Sequence, residues 1–297
     1  MRFPRPHLGE GRESLEEILR TARREERAER ERYESFSVRD LFLSLRSRDR
    51  MSKKRVRKAL PERDDEELLG LISKLLERAA TAYLSFRSRW EREVLGYLTS
   101  IGAEVSAALG LGPFRVPDGL DYVGLEAEGT GSLRPAITAR HLGSFAGMKA
   151  VNLDLSVSTL GDYCFRRAVG CRVEAESVGK CFGEEAEELF LRAGRAGDWL
   201  FLKSVRCRGE VGEVGRLAGL DSRGLQLFAR RAGAELGARA EEAEIHVTES
   251  LKGLGLRGRG TVYLAPHLYR AALETRTSFV LVEREEGLDP GGGDREA

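Results

Sequence analysis

The feature that most constrains the fold of this 297-residue chain is a glycine that recurs at every eighteenth position in its C-terminal half. Six glycines form the series: Gly143, Gly161, Gly179, Gly197, Gly215 and Gly233. A small residue comes seven positions after each glycine, and this second series is Ala150, Ala168, Ala186, Ser204, Ser222 and Ala240. Columns that stay in phase over so many periods predict a solenoid, in which each turn stacks on the next and buries its apolar edge there.

Alternating apolar residues follow each of these glycines at ten, twelve and fourteen positions. The clearest triplets are Leu153/Leu155/Val157, Leu189/Leu191/Ala193 and Leu225/Leu227/Ala229. Such alternation is the period of a β-strand with one buried face. The same phase predicts weaker turns on either side, whose inward residues are Ile137, Thr261, Tyr263, Phe279 and Leu281. We therefore expect residues 125–285 to form a single-stack parallel β-helix of about eight 18-residue turns.

The residues between these apolar positions are expected to face outward from the strands. In one such column Glu174, Arg192 and Glu210 alternate in charge, as suits neighbours about 4.8 Å apart on adjacent parallel strands. This alternation favours a structural role for the two carboxylates over a catalytic one. The same outer sheet carries Phe190 and Phe228, which we predict to form a face for a protein partner.

Small residues in the repeat have a steric explanation. We expect the first glycine of each turn to lie at a corner, where glycine can adopt a positive φ and lets adjacent turns approach closely. The alanine or serine seven positions later is expected to point into a narrow interior that a larger side chain would overfill. A second small column lies four positions after the first glycine and contains Gly147, Gly183, Gly219, Gly237 and Gly255, with Phe165 and Phe201 as exceptions.

The repeat motif runs G-x3-G-x2-A and then alternates apolar residues, as from Gly143 to Val157. It resembles the GXGXG-type right-handed β-solenoid. That domain is the C-terminal domain of the large subunit of glutamate synthase and makes up most of one subunit of formylmethanofuran dehydrogenase. The resemblance covers roughly residues 125–285. It implies a parallel β-helix that mainly holds domains or subunits together, and it implies no catalytic residue because the motif residues are structural.

The N-terminal part of the chain is predicted to be helical over residues 13–112, which makes the whole chain α+β. Residues 1–12 are expected to be a flexible tail and residues 287–297 a disordered one. Charged residues make up 33% of the chain, yet 49 basic and 48 acidic side chains nearly cancel. This balance favours surfaces rich in ion pairs and argues against a globally cationic nucleic-acid binder.

Two short patterns mark helix starts in this part. Ser14 and Glu17 form a capping box, in which side chains and backbone satisfy each other's exposed donors, and the helix would extend to about Glu34. Ser37 and Asp40 are predicted to open a second, shorter helix.

A third helix is predicted from an apolar residue at every third or fourth position between Leu68 and Val105. It would extend on the order of 60 Å if it stays unbroken, although Gly96 and Gly102 allow a kink or an earlier end. Its apolar face is expected to pack either against the same chain or in a coiled coil between subunits.

Cysteine, histidine and serine side chains are the candidates for chemistry. The cysteines are Cys164, Cys171, Cys181 and Cys207, and the histidines are His7, His141, His246 and His267. No C-x2-C pair is present and the histidines are scattered, so buried, reduced thiols are expected rather than a zinc or iron–sulfur site. Ser204 and Ser222 have no His or Asp beside them in the sequence and are expected to pack in the interior. No catalytic residue, metal or cofactor is predicted.

One segment has the charge to bind an anion. Its eight cations, opposed by a single aspartate, are Arg46, Arg48, Arg50, Lys53, Lys54, Arg55, Arg57 and Lys58. They could neutralise several phosphates of RNA or DNA without reading sequence, because the segment lacks aromatic residues for base stacking. The alternative is a solvated connector that docks onto the acidic region Glu62–Glu67 of its own chain or of a neighbour.

Three functional interpretations follow. The favoured one is a non-enzymatic scaffold that forms a homo-oligomer or a stable complex with another protein through its rigid β-solenoid and its N-terminal helices. The alternative is an accessory subunit of a redox or one-carbon enzyme complex, which only the resemblance suggests, and a weaker third is nonspecific nucleic-acid association through residues 46–58. The longest apolar runs are far shorter than the roughly 20 residues that span a bilayer, so a cytoplasmic location without a membrane partner is expected.

Overall fold

The structure, a computed structural model, describes residues 36–45, 51–81, 88–273 and 277–283. Helices precede a single parallel sheet, which confirms the predicted α+β class. The helices are α1 (Val38–Leu45), α2 (Lys53–Ala59), α3 (Asp65–Thr81), α4 (Arg89–Ala108) and α5 (Pro266–Ala272). Within the described ranges, no helix combines the length and the apolar character needed to cross a bilayer. The helix predicted to begin at Ser14 and both predicted tails lie outside the described residues.

The sheet contains ten parallel strands whose spatial order is their order in the chain. They are β1 (Phe114–Arg115), β2 (Ala136–Leu142), β3 (Asp154–Leu160), β4 (Arg172–Val178), β5 (Phe190–Ala196), β6 (Arg208–Val214), β7 (Gln226–Ala232), β8 (Ala243–Leu251), β9 (Gly260–Leu264) and β10 (Val280–Glu283). From β2 to β7 each residue pairs with the residue 18 positions later, as Leu155 does with Val173. Each repeat therefore forms one rung of a parallel β-helix, as predicted.

The interior of the β-helix is filled by the residues that the repeat predicted to point inward. Leu153, Leu155 and Val157 are at most 7% exposed, and Ile137 in the weaker turn before them is 1% exposed. The small column from Ala150 to Ala240 is buried throughout, with no member more than 1% exposed. This uniform burial explains why only alanine and serine occur there, since a larger side chain would overfill the interior.

The two glycine columns serve different purposes, and the predicted positive φ of the first column is wrong. Gly161 does not adopt a positive φ. It is glycine because a Cβ there would lie 2.7 Å from the carbonyl carbon of Gly143 in the preceding rung. The left-handed conformation belongs instead to the second column, where φ is 64° at Gly147 and 57° at Phe165. Phe165 replaces glycine because its ring fills the space beside Gly147, where a Cβ would lie 2.6 Å from that ring.

The predicted single helix from Leu68 to Val105 is wrong, because the two ends of that stretch form the separate helices α3 and α4. Helix α4 begins after Ser88, whose backbone N–H donates to the Glu91 carboxylate at 3.2 Å. Residues 82–87 lie outside the described part of the chain. The apolar stripes of both helices are buried within this one chain, so they pack on their own protomer, and a coiled coil between subunits stays a prediction.

Helix α4 lies against the first rung and covers the N-terminal end of the β-helix. Neither Gly96 nor Gly102 interrupts α4. Gly96 instead permits close packing, because a Cβ there would lie 2.4 Å from the carbonyl oxygen of Tyr122. The buried hydroxyl of Thr99 accepts a hydrogen bond from the backbone N–H of Gly124 at 2.8 Å. The helix therefore protects the exposed end that an open parallel sheet would otherwise present.

The repeat changes phase near the C-terminal end, so the predicted inward positions of Thr261 and Tyr263 are wrong. Strand β9 begins one residue early, because Ala243 pairs with Gly260 and Ile245 with Val262, each 17 rather than 18 positions later. Val262 consequently occupies the buried interior position, whereas Thr261 and Tyr263 are half-buried on the outer face. Phe279 is buried, as predicted.

Candidate partner-binding face

The outer face of the sheet brings together the two phenylalanines predicted to meet a partner. Phe190 is the first residue of β5 and Phe228 is the third residue of β7, and both are half-buried. On the strand between them, the Arg208 guanidinium lies 5.9 Å from the Phe190 ring and 5.5 Å from the Phe228 ring. Arg192 approaches the Phe190 ring at 5.8 Å. These are cation–π distances, so Phe190, Arg192, Arg208 and Phe228 form one continuous surface, the Phe–Arg patch.

Carboxylates hold the guanidinium groups of the Phe–Arg patch in place. Arg192 lies 3.7 Å from Glu174 and 3.0 Å from Glu210, and Arg208 lies 2.8 Å from Glu210. The charge alternation predicted for this column is thus present as ion pairs between adjacent rungs. Because most of these side chains are exposed, the pairs orient the arginines more than they stabilise the fold.

A groove of about 770 Å³ adjoins the Phe–Arg patch and runs along the outer sheet toward the first rung. One of its walls comes from an insertion in the repeat. Glu128 pairs with Val151, 23 positions later, whereas Ala136 pairs with Asp154, 18 positions later. The five extra residues are therefore 130–134, and they lie where a β-helix departs from its period to build a local surface.

Arg134 connects this insertion to the sheet. Its guanidinium lies 2.8 Å from the Asp154 carboxylate and donates to the carbonyl oxygen of Gly170 at 2.7 Å. Arg172 lines the same groove, and its neighbours on the adjacent strands are Asp154 and Phe190. Neither arginine is among the site residues predicted from the sequence, although the five-residue departure from the 18-residue period is a visible signal.

A stack of three rings continues the outer face toward the C-terminal end. The ring centroid of His246 lies 4.5 Å from that of Phe228 and 4.3 Å from that of Tyr263, with nearly parallel planes. The Nε2 atom of His246 lies 3.0 Å from the Glu244 carboxylate. The outward position predicted for His246 is confirmed, and the 17-residue spacing from β8 to β9 brings Tyr263 onto the same face.

The four thiols are buried in the β-helix, as expected, and none is in a disulfide. Cys171 and Cys207 occupy the same inward column two rungs apart. Burial in apolar surroundings raises the pKa of Cys164 to about 12 and that of Cys171 to about 11. Thiolate formation is therefore strongly disfavoured at neutral pH, which makes these thiols core residues rather than nucleophiles.

Ser222 and the remaining histidines make separate, local contacts, and Ser204 is buried in the interior. The Ser222 hydroxyl donates to the carbonyl oxygen of Gly219 at 2.7 Å, as a packing serine does. His141 contacts the Thr159 hydroxyl at 2.8 Å, and His267 contacts the carbonyl oxygen of Glu249 at 3.1 Å. His7 lies outside the described residues. Across the described ranges, no group of three His, Cys, Asp or Glu side chains is placed to hold a metal ion.

Some cations of the basic segment, residues 46–58, form ion pairs within the fold, and others are exposed. Lys53 is drawn into the fold, where its ammonium lies 2.8 Å from the Glu104 carboxylate. Arg57 lies 3.6 Å from Asp65, within the acidic region of the connector interpretation. Lys54 and Lys58 are exposed on helix α2, and Arg55 is half-buried on the same helix. Arg46, Arg48 and Arg50 lie outside the described residues. These contacts favour the connector interpretation for part of the segment.

No protein-family model matches the chain, and no match is found among curated proteins or solved structures.

Proposed function

We propose that the protein is a non-enzymatic scaffold that binds another protein, or a second copy of itself, through the outer sheet of its β-helix. The observation that carries the proposal is the Phe–Arg patch. Aromatic residues and arginine are enriched at protein interfaces and dominate their binding energy. Two aromatic rings and two guanidinium groups on three adjacent strands therefore form a candidate interface core.

The surrounding structure suits this role. Because backbone pairing fixes each side chain relative to the next rung, little side-chain ordering remains to oppose binding at the patch. Groups that already pair with one another, such as Arg192 and Glu210, also lose less conformational freedom when a partner arrives. A rigid sheet with preoriented arginines is thus better suited to binding than to a reaction that requires movement.

The resemblance to GXGXG-type solenoids refines the proposal. In those proteins the β-helix mainly holds domains or subunits together, and the 18-residue rung and burial pattern of this chain are compatible with that type. On this basis the partner is a protein subunit, the complex is cytoplasmic, and a catalytic subunit of a redox or one-carbon enzyme is one such partner.

The test removes both rings from the patch. Phe190→Ser/Phe228→Ser and the wild type are isolated gently from cells at moderate salt, and bound proteins are identified and quantified by native mass spectrometry. Leu256→Ser is the matched control, because Leu256 is 69% exposed and lies on the turn side of the rung rather than on the sheet.

The proposal predicts a stoichiometric protein partner or a discrete homo-oligomer for the wild type and for Leu256→Ser, and loss of that assembly in the double variant. The circular dichroism spectrum should be unchanged in both variants. An assembly that survives the loss of both rings would overturn the proposal, as would a wild type recovered only as a monomer.

A further inference from the structure

We propose that the groove beside the Phe–Arg patch binds an acidic peptide segment of the partner, with Arg172 as the anchor for one carboxylate. This inference rests on the proposed scaffold function and names the chemistry of its partner. It starts from the way in which the charged side chains of the groove are paired.

Four arginines line the groove, and three of them are already paired. Arg134 pairs with Asp154 at 2.8 Å, and Arg192 and Arg208 pair with Glu210 at 3.0 and 2.8 Å. In the part of the chain that the structure describes, the guanidinium of Arg172 has no ion pair. Within the described ranges, Arg172 is therefore the only one of these four arginines without an ion pair.

The five-residue insertion explains why Arg172 has no ion pair with the residues that the structure describes. Asp154 lies directly opposite Arg172 on the adjacent strand and would be its natural cross-strand partner. Arg134, the last inserted residue, contacts that carboxylate instead and is held there by its second bond to Gly170. On its other side Arg172 faces Phe190, which has no charge. The departure from the repeat thus leaves Arg172 without an ion pair among the described residues and beside an aromatic ring on the next strand.

The chemistry of the ligand follows from these neighbours. A free guanidinium presents a planar fork of donors that matches a carboxylate in two parallel hydrogen bonds. The adjacent Phe190 ring offers an apolar surface to the residue next to that carboxylate. A groove of about 770 Å³ is within the range that encloses a ligand of a few residues.

The other charges of the groove argue against a polyanion. Asp154, Glu174, Glu188 and Glu210 all line it, so a nucleic acid would place several phosphates next to four carboxylates. A single carboxylate bound at Arg172 meets less of this repulsion than a row of phosphates would. The groove is therefore suited to a peptide with one glutamate or aspartate beside an aromatic or large aliphatic residue.

The test uses capped, fluorescein-labelled heptapeptides with one Glu and one Phe at each spacing from adjacent to three apart, in a Gly/Ser background. Each has a matched peptide with Gln in place of Glu, and binding to the full chain is followed by fluorescence anisotropy. At least one Glu peptide should bind about tenfold to a hundredfold more tightly than its Gln match, as expected for hydrogen bonds to a charged group.

Arg172→Gln should abolish this preference and leave binding of the Gln peptide unchanged. The fold should tolerate the change, because the side chain is exposed and makes no ion pair within the described residues. Arg195→Gln is the matched control, since Arg195 is an exposed arginine on the same sheet outside the groove, 3.8 Å from Glu213. It should keep the full preference for Glu.

Equal binding of Glu and Gln peptides, absence of binding by both, or an unchanged preference in Arg172→Gln would each overturn the inference. Stronger binding of a short oligothymidylate than of any Glu peptide would also overturn it. If Phe190→Ser/Phe228→Ser abolishes assembly while Arg172→Gln has no effect on peptide preference, the anchor is wrong and the scaffold function stands. If the double variant assembles normally, the scaffold function itself fails.

Discussion

The ammonium of Lys53 lies 2.8 Å from the Glu104 carboxylate and also donates to the backbone carbonyl oxygen of Glu126 at 2.8 Å. A single side chain thus joins helix α2, helix α4 and the first rung. The same Glu104 oxygen accepts from the backbone N–H of Glu128 at 2.8 Å. Because the Lys53 and Glu104 side chains are only 19% and 27% exposed, this contact holds the helices on the end of the β-helix.

Replacing this lysine should loosen the helical cap. We expect Lys53→Met to lower the free energy of unfolding by about 1–3 kcal/mol, because it leaves a partly buried carboxylate without its charged donor. Lys54→Met is the control, since Lys54 is the next residue of the same helix and has no ion pair in the described residues. Urea denaturation followed by circular dichroism makes the comparison, and equal losses in the two variants would contradict the account.

The different surroundings of two glycines predict opposite effects on stability when each is changed to alanine. Gly161→Ala should destabilise by about 1–3 kcal/mol, because the new Cβ would press on the backbone of Gly143. Gly70→Ala should stabilise by up to about 1 kcal/mol, since Gly70 lies inside helix α3 with nothing within 4 Å of the new Cβ. Chemical denaturation measures both. If Gly161→Ala left the free energy of unfolding unchanged, the rungs would be less closely stacked than described.

Packing of one phenylalanine against a glycine of the following strand predicts a coupled pair of substitutions. The fully buried Phe201 ring lies 2.9 Å from the place where a Cβ on Gly209 would be. Phe201→Ala should cost about 3–5 kcal/mol through the cavity it leaves, and Gly209→Ala should be costly in the presence of the ring. The double variant should be more stable than the sum of the two losses implies, by about 0.5–3 kcal/mol. Strict additivity in the double-mutant cycle would be incompatible with this contact.

Alkaline pH should reveal the buried thiols. Burial raises the pKa of Cys164 to about 12 in the folded chain, whereas a thiol in the unfolded chain has a pKa near 8.5. The unfolded state therefore loses its proton first, so the contribution of this thiol to stability is complete below about pH 8.5 and declines until about pH 12. Relative to pH 8, wild type at pH 10.5 should lose about 2 kcal/mol more than Cys164→Ala. Identical pH profiles would show that the thiol is accessible in the folded state.

The β-helix is predictable from the sequence because the same weak residue preference recurs in every rung. A position such as Ala150 has the same environment as its equivalents in five other rungs, so packing constraints recur and become visible as columns. The reason for an individual residue is harder to infer. A positive φ is the expected reason for Gly161, whereas close approach to Gly143 is what excludes a side chain there.

The errors at the ends have local causes. The repeat places Tyr263 inside because the connection from β8 to β9 is one residue short, and a single missing residue leaves no clear mark in the residue types. The break between α3 and α4 does have a signal, since Ser88 and Glu91 form the S-x-x-E pattern of a helix start. The strong apolar periodicity on both sides conceals it.

The candidate site is only half predictable. Phe190 and Phe228 follow from the repeat, because their outward direction is set by the strand period. The role of Arg172 depends on which arginine forms the ion pair with Asp154. That pairing in turn depends on the path of residues 130–134, which lie outside the repeat. Such contacts between a repeat and its insertion carry no periodic signal.

Hydroxyl-radical footprinting of the intact assembly tests the central claim most directly, because it reports the solvent access of individual side chains on the Phe–Arg patch. The oxidation rates of Phe190 and Phe228 are compared between the assembly as isolated and the dissociated chain, with exposed Leu256 and Tyr163 as internal references. The scaffold account predicts that both phenylalanines react several-fold more slowly in the assembly while the two references are unchanged. Unchanged oxidation of both phenylalanines, with protection elsewhere, would contradict it.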